Sequence, residues 1–212
     1  FRKALCYAFD YDGWINTILG GSVVRNTQVI PNPMWGAPKN WPGYDYDLDK
    51  AKMYLSKVQG PLREIVVAGM VGYEQSMQGA ALLQNGLNRI GVQTRLMNEP
   101  HPVASQRYRD PEQMFDIHFL WRSTYYADPY NWAGELLASN RRGTGNVSFY
   151  SNPVIDKLLD ESLAITDQAK REPLYEQVAK LSSEDAAGLY IHNTKWFGPF
   201  VNNVSGVRFC PI

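Results

Sequence analysis

Apolar residues in the first twenty positions recur at three- and four-residue steps: Leu5, Ala8, Phe9, Ile15, Ile18 and Leu19, ahead of Gly20-Gly21. That spacing predicts one helix, or two short ones broken near Asp10-Tyr11-Asp12, with the glycine pair as the stop. Periodicity then lapses from Val24 to Tyr46, where Pro31, Pro33, Pro38 and Pro42 forbid regular structure. Trp35 and Trp41 in the same stretch are costly to leave in water, so it reads as an ordered loop packed on the domain. Asp47 caps an amphipathic helix to Val58, with Leu48, Ala51, Leu55 and Val58 on one face. A strand over 64–68, a helix over 73–90, a strand over 92–97, a short helix over 103–109 and a strand over 115–123 follow. Asn152 and Asp167 cap two further helices, to about 165 and 183, and short strands at 188–191 and 207–209 close the chain. Strand, helix, strand, helix, strand implies an α/β fold with crossover connections.

The third strand carries the most distinctive stretch. Phe115-Asp116-Ile117-His118-Phe119-Leu120-Trp121 runs into Thr124, Tyr125, Tyr126, Tyr130 and Trp132, with Asp128-Pro129 opening a helix. Any one of these rings fits a core. Several beside a chain turn predict a small-molecule pocket, because rings supply rigid contact area and their polar tips hydrogen bonds.

Twenty-one basic residues balance twenty-one acidic ones with no basic block, which argues against nucleic acid or an anionic membrane as partner. An apolar fraction of 44% against 20% charged residues is that of a globular chain. The start at Phe1, without Met or an apolar leader, reads as a fragment or a processed chain. Cys6 and Cys210 stand at opposite ends, and either close one disulfide or remain buried thiols.

Catalytic signatures are missing from the sequence. His101, His118 and His192 have no partners at metal-ligand spacing, and neither a Gly-x-Ser-x-Gly elbow nor a phosphate-binding Gly-Lys-Ser/Thr loop occurs. Asp45, Asp47 and Asp49, and likewise Asp156, Asp160 and Glu161, read as a helix cap and a solvated helix face rather than a carboxylate pair across a cleft. The Asn146-Val-Ser and Asn203-Val-Ser triplets are too short to count as modification sites. No enzyme activity, metal or cofactor is expected.

The order of segments resembles the extracellular solute-binding proteins of ABC importers, family 5, the dipeptide/oligopeptide-binding type. Phe1-Arg2-Lys3-Ala4-Leu5-Cys6-Tyr7-Ala8-Phe9-Asp10-Tyr11-Asp12, the loop from Pro31 to Trp35, Tyr46-Asp47-Leu48-Asp49-Lys50-Ala51-Lys52-Met53-Tyr54-Leu55, Leu87-Asn88-Arg89-Ile90-Gly91-Val92, and Tyr150-Ser151-Asn152-Pro153 carry the likeness in order. The resemblance implies an α/β periplasmic-binding-protein-like lobe with a mixed central sheet flanked by helices, spanning 1–212 as the second lobe of a two-lobed protein whose first lobe is absent. It implies a non-catalytic importer component, periplasmic or extracellular and membrane-associated through the transporter. Its partners would be the permease subunits, the first lobe, and a small solute, a peptide or an oligosaccharide; a ligand-sensing module signalling to a partner protein is the alternative. Trp121, Arg122, Thr124, Tyr125, Tyr126 and Asp128 are the expected ligand-binding residues. Peptide binders of the family place an Asp three positions after the tryptophan, against the ligand's α-ammonium. This chain has Thr124 there.

Overall fold

Two short helical segments open the chain, as the Asp10–Asp12 break suggests: α1 (Arg2–Ala8) and a wide π-helical turn (Gly13–Ile18). The computed structural model describes residues 1–195 and 197–208. After β1 (Val23–Arg25) and the proline-rich loop come α2 (Leu48–Leu55), β2 (Ile65–Val71), α3 (Glu74–Arg89), β3 (Thr94–Pro100), α4 (His101–Arg107) and β4 (Ile117–His118). The second half is helical, with α5 (Ala133–Leu137), α6 (Pro153–Leu163) and α7 (Gln168–Glu184), before β5 (His192–Thr194). The expected caps are in place: Asp47 accepts the Asp49 and Lys50 amides, Asn152 that of Val154, and Asp167 that of Ala169.

The central sheet is parallel, in the order β3-β2-β4, with Val67 opposite Arg-flanked Leu96 on one side and Ile117 on the other. Since β3 and β4 flank β2 on opposite sides, consecutive right-handed crossovers carry α3 and α4 to opposite faces. The alternation along β2 fits this: Ile65 and Val67 join Ala80, Leu83 and Leu87 of α3, while Ala68 joins Ala104 and Tyr108 on the α4 side. Covered on both faces, β2 reads as a near-continuous apolar run. Antiparallel pairing occurs separately, between β1 and β5, so both kinds of ladder are present in different sheets.

The proline-rich loop is ordered and packed. Val29 and Ile30 are buried with α5, α6 and α7 in a second core cluster, and Trp35 sets its ring edge-on to Tyr175 at 5.6 Å. Three strand expectations differ from the structure. Residues 23–25, running into the stretch read as irregular, form a strand; the strand expected at 188–191 lies instead at 192–194, where it pairs with 23–25; and only Ile117 and His118 of 115–123 are laddered. Val207 and Arg208 are irregular, and Phe209 lies outside the described residues, as does Cys210. Cys6 is buried, and desolvation pushes its thiol up to about 12.

Candidate solute-binding rim

Parallel strands deliver their C-terminal ends to one side of the sheet. Where the connections that follow adjacent strands pass to opposite faces of the sheet, a crevice opens beyond those ends. Here the exits of β2 and β4 are held side by side by one hydroxyl: Ser76 Oγ accepts the Met70 N–H at 2.9 Å and donates to the Phe119 carbonyl at 2.8 Å. Just beyond, Tyr73 meets Trp121 edge-to-face at 5.3 Å, and both rings are nearly half exposed. Tyr125, at 65% exposure, and Tyr126 continue the open aromatic surface. Tyr73 was not among the sequence-predicted site residues. It lies forty-eight positions before Trp121, and only the pairing of β2 with β4 brings the two together.

The loop after β4 is anchored from below. Tyr125 N–H donates to Asn131 Oδ1 at 3.1 Å, and Trp132 Nε1–H donates to Thr124 Oγ1 at 3.2 Å. Arg122 turns away from solvent, donating to the Asn131 carbonyl at 3.2 Å, lying 3.9 Å from Glu135, and setting its guanidinium 5.3 Å from the Tyr125 ring centre. Tyr126 has its phenol pKa raised, by desolvation first and then by the Glu135 and Asp128 charges, so it is a hydroxyl donor at neutral pH.

Asp128 is fully engaged. Oδ1 accepts the Tyr130 amide at 2.9 Å as the cap of a 3-10 turn (Pro129–Asn131), and Arg171 donates to both carboxylate oxygens at 2.6 and 3.0 Å. Arg171 also reaches the Ser162 carbonyl and Tyr175 Oη, tying the loop to α6 and α7. Glu99, at the end of β3, is bidentate with Arg107 at 2.8 Å, and Glu135 pairs with Arg141. Glu74, exposed in the first turn of α3, accepts from Gln78 and has no ion pair among the described residues. Six residues were expected to bind ligand. Trp121, Tyr125 and Tyr126 present open rings, whereas Arg122, Thr124 and Asp128 use their polar atoms to shape the loop.

An aromatic rim at the open end of a parallel sheet suits a small solute, and no group of three His, Cys, Asp or Glu residues able to hold a metal occurs among the described residues. Residues 1–144 match the family model of bacterial extracellular solute-binding proteins, family 5 middle region. The chain belongs to this family. Over its full length it is 32% identical to a probable D,D-dipeptide-binding periplasmic protein of Escherichia coli, and over 97% of its length 25% identical to heme-binding protein A of Haemophilus influenzae. It spans 41% and 38% of those relatives. Among solved structures, the periplasmic binding protein DppA of Helicobacter pylori in complex with the peptide STSA superposes with a TM-score of 0.79 at 25% identity, covering 90% of this chain and 37% of that one. HbpA2 of Haemophilus parasuis shares the fold, with a TM-score of 0.83 at 22% identity over 91% of this chain and 39% of that one. The family 5 fold is therefore that of a periplasmic-binding-protein lobe, α/β as expected. No helix among the described residues is long and apolar enough to cross a membrane.

Proposed function

We propose that this chain is one lobe of the substrate-binding component of an ABC importer, and that the complete protein captures a small peptide between two lobes and delivers it to the permease without chemical change. The observation that carries this reading is the open rim of Tyr73, Trp121, Tyr125 and Tyr126 beyond the C-terminal ends of β2 and β4. Half-exposed rings on a pinned loop are suited to being covered by a ligand and a facing surface. Relatives named for dipeptide and di/tripeptide binding favour a short peptide.

A second reading, an oligosaccharide, is favoured by one specific feature. Thr124 offers no charge, and Asp128 is already neutralised by Arg171, so neither carries the free carboxylate that an α-ammonium seeks in a desolvated cleft. Rings stack equally well on the C–H faces of a sugar. Among the described residues Glu74, beside Tyr73, is an acidic group near the rim without a basic partner, so an ammonium-bearing ligand would turn to it.

Thermal melting of the complete protein with D-Ala-D-Ala, L-Ala-L-Ala, tri-alanine and maltotriose separates these readings, since a ligand that binds only the folded state raises the midpoint. Peptides are expected to stabilise, with the shift reduced in Glu74→Gln. Stabilisation by maltotriose alone establishes the sugar reading, and no shift with any probe removes both.

A further inference from the structure

Three positions of the loop after β4 are fastened to one fully buried residue. Asn131 Oδ1 accepts the Tyr125 N–H at 3.1 Å, its Nδ2 donates to the Ser123 carbonyl at 3.4 Å, and its main-chain carbonyl accepts Arg122 Nη2–H at 3.2 Å. Asn131 is itself held in the 3-10 turn that Asp128 caps, and Asp128 is clamped by Arg171 on α7. The rim loop thus rests on a fixed post whose base is the second core cluster, where Tyr175 packs.

We propose that Asn131 is a positioning residue for solute capture, fixing the backbone at Ser123 and Tyr125 so that the rings of Trp121, Tyr125 and Tyr126 are in place before the ligand arrives. The proposal rests on the solute-binding reading and goes beyond it by assigning the rim's rigidity to a residue that touches no ligand. The chemistry explains the side chain: the loop presents one N–H and one C=O to the buried site, and a primary amide supplies the matching acceptor and donor together. An apolar replacement leaves both loop groups without their partner at a part-buried site, and a carboxylate serves the N–H but not the carbonyl. A loop ordered in advance does not have its ordering cost subtracted from binding.

Asn146 provides a matched control. It is equally buried, and its Nδ2 donates to the Leu137, Ala138 and Tyr150 carbonyls, none of which belongs to the rim. In the complete protein, Asn131→Ala and Asn146→Ala are compared by hydrogen exchange over residues 123–126 and by calorimetric titration with D-Ala-D-Ala and L-Ala-L-Ala. Asn131→Ala is expected to speed exchange across the rim and weaken binding about ten-fold. Asn146→Ala should lower the melting midpoint without either effect. Unchanged affinity in a folded Asn131→Ala, or equal loss in Asn146→Ala, overturns the proposal. Should Asn131→Ala not fold, Asn131→Asp, which keeps the acceptor for the Tyr125 N–H and sets a buried carboxylate oxygen where the donor to Ser123 stood, is read by the same criteria. If the wild-type protein binds neither probe, the peptide reading fails and exchange alone decides: faster rim exchange confined to the Asn131 variant supports the post, and equal exchange in both overturns it.

Discussion

In the sequence Asp128 reads both as the cap of the turn that Pro129 opens and as a ligand-binding residue, and the structure makes it the cap and pairs it with Arg171. With side-chain exposures of 24% and 15%, the Asp128–Arg171 pair is largely shielded, and Arg171 stacks beside Trp35 while bonding Ser162 and Tyr175. Asp128→Asn should therefore cost about 1–3 kcal/mol, the range for breaking a partly buried charge-assisted pair, and denaturant titration checks it. His118 offers a second test at this scale. Burial between Tyr108 and Phe115 drives its pKa down to about 4, the Glu99 charge opposing and His101 adding to the shift. The unfolded chain holds that proton with a pKa near 6.5, so protonation favours unfolding. The contribution is complete above pH 6.5 and is lost as the pH falls toward 4, up to about 3 kcal/mol in all. The expected outcome is a flatter stability profile between those limits in His118→Gln, read from melting midpoints against pH. His192, whose pKa is also lowered by burial and whose Nδ1 accepts from Trp14, adds acid sensitivity of the same sign that this variant leaves intact.

At the level of elements, α3 places the rim by lying very close to its neighbours. A Cβ on Gly86 would stand 1.9 Å from the Ala8 carbonyl oxygen, a main-chain atom of α1 that has no freedom to rotate away. Gly86→Ala is accordingly expected to destabilise by about 1–3 kcal/mol despite alanine's better helix propensity, and equilibrium unfolding measures it. Seven residues earlier, Gly79 faces the Phe119 ring, so the same helix face that meets α1 also seats the strand exit leading to Trp121. Helices were legible because their signals are local: caps at Asp47, Asn152 and Asp167 sit immediately before periodic apolar runs. The short strands were not. Residues 23–25 pair with 192–194 across nearly the whole chain, and three residues carry too little alternation to separate a strand from a loop.

For the molecule as a whole, the decisive fact is that the chain spans about two fifths of the relatives it matches. In the proposed function, affinity arises from enclosing the ligand on both sides. The 212-residue chain alone should then bind dipeptides at least about 100-fold more weakly than the complete protein, because one open face buries less of the ligand and leaves its polar groups in competition with water. Parallel calorimetric titrations of the two proteins measure the difference, and equal affinities would place the binding determinants on this chain alone.

The sequence by itself determined the α/β class, the succession of helices, the ordered proline-rich loop and the aromatic stretch from Trp121 to Tyr126, since each depends on the spacing of neighbouring residues. Tertiary structure alone decided three further matters. It set Tyr73 against Trp121 by pairing β2 with β4, it placed Asn131 beneath the rim loop, and it joined Asp128 to Arg171, forty-three positions away. The first and last are contacts between segments remote in the chain, and the second is a fold-back of the loop onto the turn that follows it. Whether a side chain meets a ligand or another part of the fold depends on which partner reaches it, and no local pattern of residues encodes that.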